Sequence, residues 1–106
     1  MRLVLTNRGT DTVEVELGGN PIAFDFIVTA DGAEIWRRLE GVAIEDILQV
    51  RTLAPGDSLD FAAAWNQRMN RGAAAEAGAY QVRGILPAID PPGGWSTAVR
   101  TLTIVR

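Results

Sequence analysis

Ile22-Ala23-Phe24-Asp25-Phe26-Ile27-Val28-Thr29-Ala30-Asp31-Gly32-Ala33-Glu34-Ile35-Trp36-Arg37 is the stretch on which the fold turns. Ile22, Phe24, Phe26 and Val28 alternate with Ala23, Asp25, Ile27 and Thr29. That period of two places one set of side chains on each face of a strand. Asp31-Gly32 interrupts the pattern before a second extended run, Glu34 to Arg37. An Asp-Gly pair between two such runs predicts a hairpin, because both residues tolerate the positive φ of a type I′ turn. Alternation sends Arg37 and Arg38 to opposite faces, so one of them can reach Asp25 across the hairpin. The expected pair is a surface one, worth at most about 1 kcal/mol.

The same period recurs on both sides. Leu3 and Leu5 alternate with Val4 and Thr6 before the turn Asn7-Arg8-Gly9-Thr10-Asp11, and Val13, Val15 and Leu17 alternate with Thr12, Glu14 and Glu16. Glu40-Gly41 reads as a turn; Ile44, Ile47 and Leu48 would share a helical face and Ile44, Asp46 and Leu48 a strand face, and the stretch reads as a short irregular segment leading into a strand at about 48–53. Pro55-Gly56 suits the centre of a type II turn, and Leu59, Phe61, Ala63 and Trp65 continue as a strand. Residues 66–77 have no period-two signal and read as a loop with room for one helical turn, which Gly72 weakens. Tyr80, Val82 and Gly84 open another strand, and Val99 to Val105 is the last. Residues 87–95 carry Pro87, Pro91 and Pro92 and cannot be a central strand. Seven to eight short strands with no long helix predict a single all-β domain over 1–106, an Ig-like antiparallel β-sandwich with Greek-key connections. Trp36 and Trp65 are expected in its core, and Tyr80 is expected to tie a corner by its hydroxyl.

Composition removes most chemistry. The chain has no Cys and no His, and all ten basic residues are Arg. Disulfides, thiol nucleophiles, Ser-His-Asp triads and Schiff-base lysines are therefore excluded. Thirteen carboxylates remain, but Glu14 and Glu16, Glu45 and Asp46, and Asp57 and Asp60 show no Ca²⁺-loop spacing. No enzyme, cofactor or metal is expected. A net charge of −3 with scattered Arg disfavours nucleic acid. The longest apolar run, Phe61 to Trp65, is far short of the ~20 residues of a transmembrane helix. The expected location is the cytoplasm, or the exterior for a secreted domain trimmed of its leader.

Phe24-Asp25-Phe26-Ile27-Val28, Asp31-Gly32, Trp36-Arg37, Leu53-Ala54-Pro55-Gly56-Asp57-Ser58 and Gly78-Ala79-Tyr80-Gln81-Val82-Arg83-Gly84 stand in an order that resembles the bacterial intracellular proteinase inhibitor family, the BsuPI type. The resemblance covers about residues 3–86. Leu39 and Ile44 depart from it, at places where the family tends to carry Ser and an aromatic. It implies an Ig-like sandwich that inhibits an intracellular subtilisin-like serine protease. The expected function is thus protein binding by a loop of complementary shape. The alternatives are a non-inhibitory Ig-like adhesive, carbohydrate-binding or accessory domain, and a small carboxylate enzyme. The expected contact loop is 87–95, with Ile89, Asp90, Pro91, Pro92 and Trp95 as partner-binding residues, since proline stiffness lowers the entropy lost on docking. Arg68, Met69 and Arg71 in 66–77 form a second candidate. Either a monomer or an edge-paired dimer is compatible with exposed terminal strands.

Overall fold

A computed structural model describes residues 1–105. The described residues form nine strands and no helix. They are β1 (Arg2–Thr6), β2 (Val13–Gly18), β3 (Asp25–Ala30), β4 (Ala33–Arg37), β5 (Leu48–Leu53), β6 (Ser58–Ala62), β7 (Gly78–Leu86), β8 (Trp95–Ser96) and β9 (Arg100–Ile104). This is one more than the seven to eight expected, because the two-residue β8 has no periodicity to announce it.

The β3–β4 hairpin forms as its sequence dictates. Asp31 and Gly32 take φ of 50° and 80°, and Ala30 pairs with Ala33 across the turn. β3 lies between β4 and β7, all antiparallel, while β8 and β9 share the other edge of β7. β1 pairs with β6, and β2 with β5. These last two pairs are halves of one ribbon. Thr6 faces Ser58 and Val13 faces Leu53, so six residues on one side and four on the other separate the halves.

Asn7 occupies the break and is buried. Its Nδ2 donates to the carbonyls of Leu53 and Asp11, at 2.9 and 2.8 Å, and its Oδ1 accepts the Gly9 amide. Its own N–H donates to the Asp57 carbonyl, and its carbonyl accepts the Gly56 N–H. One side chain and one peptide unit thus satisfy polar groups that no ladder reaches.

The core has two clusters. Leu3, Val15, Leu17, Phe24, Phe26 and Leu86 form the first, so the ribbon and the β3–β7 sheet bury their apolar faces against each other. Val28, Ala75, Tyr80 and Ile104 form the second, with Trp36 and Trp65 packed on it. Both tryptophans are half-buried. Their rings lie 6.2 Å apart, and Trp65 meets Tyr80 edge-on at 5.5 Å. The Tyr80 hydroxyl donates to the Glu76 carbonyl at 2.5 Å, the corner tie that the sequence predicts.

The 66–77 loop contains no helical turn. Arg68 bridges Ala74, the Met69 amide donates to Ala73, and the Gly72 amide donates to Met69. Gly72 takes φ of 91°, which reverses the chain where a helix would continue it. Asn70 lies along the outer edge of β4, its amide on the Ile35 carbonyl and its side chain on both main-chain groups of Arg37.

The molecule is long. Its extents are 47 × 28 × 20 Å and its radius of gyration is 15.4 Å, against about 13 Å for a chain of this length. Its accessible surface is 6765 Å², where this mass normally leaves roughly 5,800 Å². Part of the excess is apolar and lies at one place.

Candidate interaction site

Residues 40–48 are all exposed. They include Val42, Ile44, Ile47 and Leu48, each at least 40% accessible. The segment connects β4 to β5, and both of its ends are pinned.

The β4 end is held by Asp25. Its carboxylate is only 2% accessible. Oδ2 accepts from Arg37 Nε and Nη2 at 2.9 and 2.8 Å, and Oδ1 accepts the Leu39 amide at 3.1 Å. The expected surface pair is therefore a buried one, because the chain turning back at Leu39 covers the acid. Hydrogen bonding to this carboxylate raises the Arg37 pKa above its ordinary value. Arg38 goes the other way, donating to the Phe24 carbonyl and lying over the Phe24 ring at 3.7 Å.

The β5 end is held by Gly19. Its N–H donates to the Ile47 carbonyl at 2.8 Å, and its carbonyl accepts Gln49 Nε2 at 2.6 Å. Gly19 has φ of 92°, and a Cβ there would stand 2.9 Å from the Pro21 carbonyl oxygen and 3.1 Å from an Ile44 methyl. The missing side chain is what lets Ile44 settle against the end of β2.

Between the pinned ends the backbone is open. Among the described residues, the N–H groups of Ala43, Ile44, Glu45 and Asp46 donate to no atom of the chain. The segment forms one wall of a groove of about 450 Å³, with Gly18 and Gly19 at its base and Ala88 and Ile89 opposite.

The opposite wall belongs to the Pro-rich loop. Ile89, Asp90, Pro91 and Pro92 are exposed. The Ile89 amide donates to the Glu16 carbonyl at 2.8 Å, and the Glu16 amide donates to the Asp90 carbonyl at 2.9 Å, so the loop lies along the free edge of β2. Trp95 starts β8 opposite Leu86, half-buried on the first cluster. Of the expected contact residues, Ile89 lines the groove, Asp90 sits against Glu16 of β2, and Trp95 is rooted beneath the loop. Arg68, Met69 and Arg71 lie elsewhere, beside the β4 edge. Sequence reasoning missed Val42, Ile44, Ile47 and Leu48. The signal was present in four aliphatic residues in and just after a stretch whose apolar positions suit a helix and a strand equally.

No three acids cluster in a way that could hold a metal ion among the described residues, and no helix is long and apolar enough to cross a membrane. No curated protein and no solved structure gives a significant match to the chain. A family model described as intracellular proteinase inhibitor, BsuPI, matches residues 1–90. With most of its length matched, the chain belongs to the BsuPI family of intracellular proteinase inhibitors.

Proposed function

We propose that this chain is a single domain with the Ig-like, Greek-key form of a sandwich, and that it inhibits a subtilisin-like serine protease in the cytoplasm. Family membership supplies the proteinase inhibitor activity. The rest is supported by the shared core of ribbon and sheet, the Tyr80 corner, and above all the Pro-rich loop standing exposed on a main-chain anchor at Glu16.

Inhibition by this chain is a matter of shape. It has no thiol, imidazole or amine side chain to attack a protease. A standard interface takes about 800 Å² from each partner, roughly one-eighth of the surface here. Ile89, Asp90, Pro91 and Pro92 form the proposed contact, with Trp95 fixing the base of the loop. The loop's two hydrogen bonds to β2 and its prolines limit the freedom it has left to lose on binding.

The test is a titration of the purified protein against a panel of active-site-titrated subtilisin-type proteases. Stoichiometric inhibition of at least one is expected, lost when residues 88–94 are exchanged for a Gly/Ser linker. A panel untouched by the wild-type protein would sink the reading, and full inhibition by the linker variant would remove this loop from the contact.

A further inference from the structure

We infer that the segment Val42–Ile47 is a second contact element, one that lies extended in the protease's substrate cleft and pairs with it by main chain. This inference rests on the inhibitory reading above and assigns it residues.

Three observations carry it. The first is that, among the described residues, the amides of 43–46 and the carbonyls of Ala43, Ile44 and Asp46 bond to no atom of the chain, the Glu45 carbonyl alone being taken, by the Ile47 amide. A run of unused N–H and C=O groups is what an extended partner strand pairs with in β-augmentation. The second is pre-organisation. Asp25 and Gly19 hold the ends through hydrogen bonds of 2.6–3.1 Å, so the tip is presented without the ordering cost of a free loop. At about 3.3 Å per residue, the six residues span up to roughly 20 Å, enough to fill a cleft along several subsites. The third is side-chain character. Val42 and Ile44 are about half exposed, and a protease pocket that accepts branched aliphatic residues would desolvate them.

The charge around the segment narrows the partner. Glu45 and Asp46 line the groove, and Glu16 and Asp90 meet through their main chains next to its Ile89 wall. Among the described residues none of the four forms an ion pair. The cleft that fits has an apolar primary pocket and a basic rim, and association should slow as salt screens that attraction.

The experiment compares wild type, Val42→Asp, Ile44→Asp and Ile89→Asp against a protease from the panel. Each variant's fold is checked by its thermal melt, and amide exchange of residues 43–46 is followed in wild type with and without the protease. A loss of at least 100-fold in inhibition for the Val42 and Ile44 variants, with amide exchange at 43–46 slowed at least tenfold in the complex, is the expected result. If wild type inhibits but 43–46 exchange at the free rate and both variants inhibit normally, this inference fails and the inhibitory reading survives on the Pro-rich loop. If wild type inhibits no protease, both fall together. If a variant loses its fold, the exchange measurement on wild type alone decides.

Discussion

Between Arg37 and Leu39 almost every polar group has a partner, whereas between Val42 and Ile47 the four amides of residues 43–46 have none among the described residues. The two regions are joined by two residues and are built from equally ordinary side chains. The difference is where their hydrogen bonds go. The first directs them inward to Asp25 and Asn70 and so fixes the chain. The second leaves them facing water and so keeps them for something else. Stability is thus concentrated in one stretch of the connection and the inferred protease contact in its neighbour, so a change in either should move one property and spare the other.

The sharpest way to break that comparison is Asp25→Ala. It leaves Arg37 without its main partner and the Leu39 amide unsatisfied. Because Arg37 is about one-third exposed and can recover water, the expected cost is near the low end for a broken buried pair, ~3 kcal/mol. Urea unfolding would measure it, and a loss below 1 kcal/mol would show that the acid is not the anchor described. Gly19→Ala acts at the other foot. A Cβ at this positive φ, pressed on the Pro21 carbonyl, should cost about 1–2 kcal/mol and should displace Ile44, visible as changed amide shifts at 43–47. Val42→Ser lies between the feet. It should move stability by no more than about 0.5 kcal/mol, and a larger loss in the same urea assay would mean that the segment is part of the core.

The smallest effect concerns an exposed ion pair, set against the buried one. Arg2 holds Asp60 through its Nε at 2.9 Å and through Nη2, with both partners well exposed. Hydrogen bonding to Arg2 lowers the Asp60 pKa below its ordinary value. A lowered carboxylate contributes stability above its unfolded pKa of about 4 and loses it as pH falls through the folded value. The difference in melting temperature between wild type and Asp60→Asn should therefore be small at pH 7, smaller still in high salt, and gone at the acid end of that window.

Most of the architecture could be read from the residues. Phe24, Phe26 and Val28 announce a buried strand face, Asp31-Gly32 a hairpin, and Tyr80 a corner, because each depends on chemistry within a few residues. What could not be read depends on distant covering. Asp25 looks like a surface acid from alternation, yet Arg37 and the chain returning at Leu39 close over it. The Ala-rich stretch after Met69 suggests a helical turn, yet Gly72 and the bond from Met69 to Ala73 fold it into a tight reversal. Residues 42–47 fit a helical and a strand period equally, so no local pattern could say that they stand open between two fixed points. Of the Pro-rich loop, the stiffness was legible in its prolines, while its seat along β2 was not, since nothing near Ile89 in sequence names Glu16.

Asn7 has a consequence for alignment. In a two-strand ribbon, sliding one strand by a single residue turns every inward side chain outward, so burial of the Leu3, Val15 and Leu17 face already resists slippage. Asn7 grips the end of β5 and the turn after it, at Leu53, Gly56 and Asp57, and on its own side Gly9 and Asp11 in the break between β1 and β2. A shift by one residue would break those grips together. The side chain acts as a stop between two sliding rails and adds a polar lock to the register that burial of Leu3, Val15 and Leu17 sets.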